Sequence, residues 1–239
     1  TTIQLSTVTS FASGRTALYV NSASSVTIDR SYVYSTIGRA LYLDSGVTYS
    51  TVTLSTAIAA NASNPALYLA GSRLAIDRSF VHNSLGTAFL VDASARHVLI
   101  DHSSVTSAAG NSYSALNVLG SSLTVTGSYF GNPTGYAIRL QTGSNFNTIS
   151  LSTMASNNTG NEAFWLVGSS SNVISQCYIT NPAGNAARLE SNSNYNTISL
   201  STITNTAGGY SALSISASSS NTVLDSYIQG SAVALISGS

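Results

Sequence analysis

The chain has 239 residues, only 7% of them charged, and its eight cations, all arginine, balance its eight acids to a net charge of zero. That balance excludes the electrostatic field by which proteins hold nucleic acid or an anionic membrane. The single cysteine, Cys177, excludes an intramolecular disulfide framework. With no run of 18 apolar residues and no signal-peptide pattern, the chain is expected to be soluble as given, either a mature form or an excised segment.

Read from the first residue, the chain is ten versions of one motif. An apolar β-former stands at Ile3, Ile28, Val52, Ile76, Ile100, Val125, Ile149, Ile174, Ile198 and Val223, always 24 or 25 residues after the last. Three positions on lies a small residue: Ser6, Ser31, Ser55, Ser79, Ser103, Ser128, Ser152, Cys177, Ser201 and Ser226. The fullest copies are 147–154 and 196–203, both beginning Asn-Thr-Ile-Ser-Leu-Ser-Thr. One period held from end to end is the signature of a solenoid. Ser, Thr, Asn and Gly at low charge would otherwise read as disorder, but the apolar residues keep register and disordered chains do not. Cys177 is expected to be a small inward residue standing in for serine.

Each unit carries a second apolar segment of the form Ala-φ-x-φ, starting at Ala17, Ala40, Ala66, Ala88, Ala115, Ala137, Ala163, Ala186, Ala212 and Ala232. Alternation over so few residues predicts short strands with one buried face. Ser/Asn/Gly clusters such as 168–172 and 191–194 supply the bends. The distance from motif to alanine alternates between long and short. The residue after the small one alternates too: Thr7, Tyr32, Thr56, Phe80, Ser104, Tyr129, Thr153, Tyr178, Thr202, Tyr227. The true repeat is therefore a pair of coils, about 49 residues.

Ala-Leu-x-φ, a Ser/Asn bend and then Asn-Thr-Ile-x-x-Ser-x-Ile resemble the repeat of right-handed parallel β-helix proteins of the pectate-lyase-like superfamily. The resemblance covers residues 1–239 and implies an all-β fold: a right-handed parallel β-helix of about ten coils, forming one domain. At about 4.8 Å per strand step the body is on the order of 50 Å long. The sequence departs from the family pattern by placing serine where the family often stacks inward asparagine. A motif strand opens the first coil and Leu235-Ile236 closes the last, so unpaired strand edges are expected to drive association along the axis.

Outward residues of the Ala-φ-x-φ segment are the candidate binding residues. Tyr19, Tyr42 and Tyr68 form an aromatic strip, and Arg139, Trp165 and Arg188 set the lone tryptophan between two guanidinium groups, a combination that suits sugars or partner proteins. The same residues also read as cross-strand stacking that stabilises a sheet. Thr51/Thr53 and Thr124/Thr126 resemble the threonine arrays of ice-binding solenoids, broken here by Ala75, Leu99, Val173 and three aspartates. Asp77 and Asp101 share one column, and paired carboxylates can bind Ca²⁺ or work as acid and base. Each has an adjacent cation, Arg78 or His102, so surface ion pairing is the competing reading.

These features predict a non-enzymatic extracellular or cell-surface solenoid, a stalk, fibre or adhesin, with no cofactor. Its expected partners are itself, a carbohydrate or a surface protein, with no nucleic acid. The alternatives are a polysaccharide lyase or glycoside hydrolase centred on Asp77 and Asp101, and an ice-binding protein.

Overall fold

Each motif folds as two strands, because one residue between them takes the left-handed conformation. It is Leu5, Arg30, Leu54, Arg78, His102, Leu151 or Leu200 in seven of the coils, with φ between 42° and 50°. For a non-glycine residue that geometry costs about 1–2 kcal/mol, and hydrogen bonds from the next coil offset it. The bend residue donates its N–H to a carbonyl one coil on, Leu54 to Asp77 and Arg78 to Asp101, both at 3.0 Å. The next N–H would be orphaned by the turn. It donates instead to the serine hydroxyl of the following coil, Ser31 to Ser55 at 3.0 Å, Ser55 to Ser79 at 3.1 Å and Ser79 to Ser103 at 3.1 Å. Each hydroxyl then donates to a carbonyl of its own coil, as Ser79 does to Asp77 at 2.8 Å. From Ser31 to Ser201 the serine column is buried, and Cys177 is buried in line with it.

The computed structural model describes residues 1–12, 14–110 and 112–237, the last five as backbone alone. Among these residues the strands form three parallel sheets of ten strands each, and every neighbour in a sheet comes from the adjacent coil. In the fourth coil the first sheet takes Ala75–Asp77, the second Phe80–Asn83 and the third Phe89–Val91. Register follows the sequence columns: Ile76 faces Ile100, Val81 faces Val105 and Phe89 faces Leu116. Inward residues of the three sheets make one continuous core, from Ile28, Val33 and Leu41 at one end to Ile198, Ile203 and Leu213 at the other. The alternating turn lies between the second and third sheets, with longer segments at 11–17, 60–66 and 157–163.

Two features differ from the sequence reading. Serine does replace asparagine in the column after the bend, but an asparagine ladder runs at the corner before the first sheet. There Asn147 donates to Asn172, Asn172 to Asn196 and Asn196 to Asn221, side chain to side chain at 2.9–3.1 Å. Buried Asn83 and Asn181 likewise tie the turn after the second sheet, the Asn83 amide nitrogen lying 2.9 Å from the carbonyls of Asn61, Asn64 and Thr87. The second difference is the last coil, which is shifted by one residue. Ala234 pairs with Leu213 and Ile236 with Ile215, whereas the alanine-first alignment put Ala234 beside Ser214. A shift of one reverses which face a strand residue takes, so the alanine at 232 is not the equivalent of Ala212. The side chains of Leu235 and Ile236, expected at the open end, lie outside the described residues.

Candidate binding faces

On the third sheet, Tyr19, Tyr42 and Tyr68 stand in register on consecutive coils. Their rings are 4.9 and 4.8 Å apart. The polar ends are engaged: the Tyr19 and Tyr42 hydroxyls donate to Asp44, and that of Tyr68 to Asp92. Arg39 lies 5.1 Å from the Tyr42 ring centre and 4.8 Å from that of Tyr68, and its buried Nε has no hydrogen bond. The Asp44 contact pushes the Tyr19 phenol up to about 12. Beside this strip opens a cleft lined by Gly14, Arg15, Thr16, Tyr19, Arg39 and Tyr42. Tyr19 is the most exposed of the three rings, at 49%.

Farther along the same sheet, Trp165 is held from all sides. The buried Tyr136 stacks on it at 4.9 Å, the Arg139 guanidinium sits 4.4 Å from its ring centre, and its Nε1 donates to Glu190 at 2.8 Å. Arg188 pairs with Glu190 at 2.5 Å and with Glu162 at 3.5 Å. Burial raises the Glu162 carboxyl above its ordinary range, with Arg188 opposing. The sheet brings Arg139, Trp165 and Arg188 together as the column predicts. Trp165 and Arg188 are engaged by acids within the cluster, whereas Arg139 sits against the rings and its buried Nε has no hydrogen-bond partner.

The first sheet places Asp77 opposite Asp101. Each is matched by the bend residue that follows it: Arg78 lies 2.8 Å from Asp77, and His102 Nδ1 lies 2.7 Å from Asp101. The hydrogen bond from Arg78 holds the Asp77 carboxyl below its usual range, so at neutral pH it is a base and not a proton donor. The four side chains border one open hollow. Among the described residues no three His, Cys, Asp or Glu lie close enough to hold a metal ion. Thr51/Thr53 and Thr124/Thr126 also face outward on this sheet. Exposed Tyr49 and Phe146 rise at one edge, and Leu54 and Leu151 at the other.

Sequence reasoning took the alternation of threonine and aromatic on the second sheet as a period and nothing more. The structure puts Tyr32, Phe80, Tyr129, Tyr178 and Tyr227 in one outward column, 37–58% exposed, with Thr or Ser between each pair. Among the described residues none of these four phenols makes a hydrogen bond within the protein, unlike those of the third sheet. That contrast in partners carries no sequence signal.

A model of the right-handed β-helix region matches residues 16–158 and again 114–239. The chain belongs to the right-handed β-helix family. No curated protein matches this β-helix in sequence. Among solved structures it is similar to the enzymatically active domain of tailspike protein 2 of bacteriophage CBA120, with a TM-score of 0.73 at 12% identity. That match covers 96% of this chain and 38% of the tailspike chain. It is also similar to the surface adhesin PfbA of Streptococcus pneumoniae, with a TM-score of 0.64 at 11% identity over 90% of this chain and 62% of that one. A third is pectate lyase Pel9A, with a TM-score of 0.59 at 11% identity over 93% and 68%. The β-helix thus spans little more than a third of the tailspike, and at these identities the likeness is one of fold. Enzymes and adhesins both have this fold, so it does not decide between them. Among the described residues no helix is long and apolar enough to cross a membrane.

Proposed function

We propose that this β-helix is a structural and adhesive segment, extracellular or at a cell surface, which meets carbohydrate along its outer faces and catalyses no reaction. The observation that carries the reading is the state of the adjacent, half-buried carboxylates Asp77 and Asp101 on the first sheet. Asp77 lies 2.8 Å from the Arg78 guanidinium and Asp101 lies 2.7 Å from the His102 ring, each partner on the same coil. A pair working as acid and base needs one carboxyl raised into a proton-donating range, and at Asp77 the Arg78 hydrogen bond instead holds the carboxyl down, while Asp101 is taken up by a ring nitrogen of His102. Fold likeness to an adhesin and to a tailspike domain is consistent with the reading and lends it only analogy. Association of copies along the axis belongs to the same proposal and is read from sedimentation at rising concentration.

The test is a screen of the whole chain for release of reducing ends or unsaturated products from acidic and neutral polysaccharides. The proposal expects no cleavage, together with retention on at least one immobilised glycan. Cleavage that disappears in both Asp77→Asn and Asp101→Asn would replace it with the enzymatic reading.

A further inference from the structure

The outer face of the second sheet breaks the rule that the third sheet follows. Where aromatic rings stabilise a parallel sheet by packing on one another, they occupy consecutive coils, as Tyr19, Tyr42 and Tyr68 do with ring centres 4.8–4.9 Å apart. The five aromatics of the second sheet skip every other coil, and Thr56, Ser104, Thr153 and Thr202 intervene. Rings two strand steps apart, about 9.6 Å, are too far apart to stack on one another. Three of them lean along their own strands instead. Tyr32 lies parallel to Tyr34 with centres 6.3 Å apart, and Phe80 to His82 at 6.1 Å. Tyr129 folds over Gly131, where a Cβ would stand 2.6 Å from the phenol oxygen. All five side chains remain exposed, at a fixed interval of two coils, along one column.

We infer that this column is a binding face for an extended, neutral, β-1,4-linked polysaccharide lying parallel to the solenoid axis. The inference rests on the proposed glycan contact and specifies its face and ligand class. Three observations support the choice of ligand. The interval of two coils matches the length of two hexose units in an extended β-1,4-linked chain, in which alternate sugars present the same face. The outward positions of the second sheet hold no Asp, Glu, Lys or Arg, and the nearest cations, Arg30 and Arg78, turn away to Asp29 and Asp77. An uncharged face complements an uncharged polymer, and a uronate chain would find no counter-charge there. Finally, Tyr129 borders an open hollow lined also by Pro133, Ala155 and Asn157, room beside a ring for a sugar and its hydroxyls. The unbonded phenols of Tyr129 and Tyr178 supply hydrogen bonds at the rim.

Affinity electrophoresis of the whole chain through gels containing hydroxyethyl cellulose, with polygalacturonate as the charged comparison, tests the inference. Retardation by the neutral polymer is expected, weakened roughly tenfold by Tyr129→Ala. Thr153→Tyr is expected to weaken it as well, because it puts a ring between Tyr129 and Tyr178 and covers both by stacking. Both substitutions are at the surface, and unchanged melting curves exclude unfolding as the cause. Retardation unaltered by either variant would overturn the inference. So would retardation by polygalacturonate alone. Loss with Tyr19→Ala and Tyr42→Ala would move the glycan to the third sheet, overturning the inference and leaving the proposed function standing. No retardation, combined with self-association lost in Tyr129→Ala, would make the column a contact between copies. Cleavage of either polymer would reject the proposed function, whatever the second sheet binds.

Discussion

The backbone N–H of Ser55 donates to the hydroxyl of Ser79, one coil away, at 3.1 Å, and both residues are buried. Truncating Ser79 to alanine leaves that N–H without an acceptor inside the fold. Ser79→Ala is expected to cost about 1–3 kcal/mol in urea unfolding. A change within about 0.5 kcal/mol, the range of surface substitutions, would mean that water or a neighbour replaces the bond.

Cys177 tests the same column from the other side. Burial pushes its thiol up to about 11, against 9.0 for an unperturbed one. The native thiol should therefore resist disulfide reagents at pH 8 and react fully once the chain is unfolded. An acid whose folded pKa is raised leaves stability intact below its unfolded value and removes it above. The β-helix should lose stability between pH 9 and 11 by an amount that disappears in Cys177→Ser. Equal alkaline sensitivity in the two proteins would refute this assignment.

Ala57 is the small residue in a column otherwise filled by Val33, Val81, Val105 and Phe130, and it borders a small enclosed void among Ile28, Leu41, Val52 and Leu67. Ala57→Val is expected to raise stability by about 0.5–2 kcal/mol through filling it. A loss in thermal melting would show instead that the gap is narrower than one methyl pair and that the strand must shift.

The Tyr–Asp contacts of the third sheet predict an acid limit. The Tyr19 hydroxyl and the Ser45 amide hold the Asp44 carboxyl below its usual 3.8. At Asp92 burial works the other way, but the Tyr68 hydroxyl and the Ser94 groups outweigh it and the net direction is again down. Groups with depressed folded values contribute stability that is present above 3.8 and lost as pH falls through the lower folded value. Melting followed from pH 6 downward should hold level to about 3.8 and then drop, with a smaller drop in Asp92→Asn. An identical drop in that variant would place the acid sensitivity elsewhere.

Period, coil number, the inward serine and apolar columns and the in-register tyrosines were all legible in the sequence, because each is a repeat of residue type at a fixed interval. The bends were not. Leu54, Arg78 and His102 have no preference for positive φ, and what holds them there is a carbonyl 23–24 residues away. The asparagine ladder was overlooked because Asn147, Asn172, Asn196 and Asn221 fill one corner in the second half only, where the first half has Leu74 and Val98. The last coil misaligned because Ala232 matched the motif by letter while the backbone paired it with Ser211. The second-sheet aromatics were in plain view as an alternation. Their meaning depends on which phenols are already bonded, and only coordinates give that.

The left-handed bends have a mechanical corollary. A coil keeps its corner only while the next coil accepts its Leu54-type N–H, so no coil is stiff alone and the outermost one is always the weakest. Pulled by its two termini, the protein should yield like a zip fastener, one turn at a time from an end. Each event should lengthen the tether by about 24 residues of extended chain, roughly 80 Å, less the one strand spacing that the turn occupied. A force trace with steps of that size would record the coil as the mechanical unit, and doubled steps would show that the two-coil pair yields together.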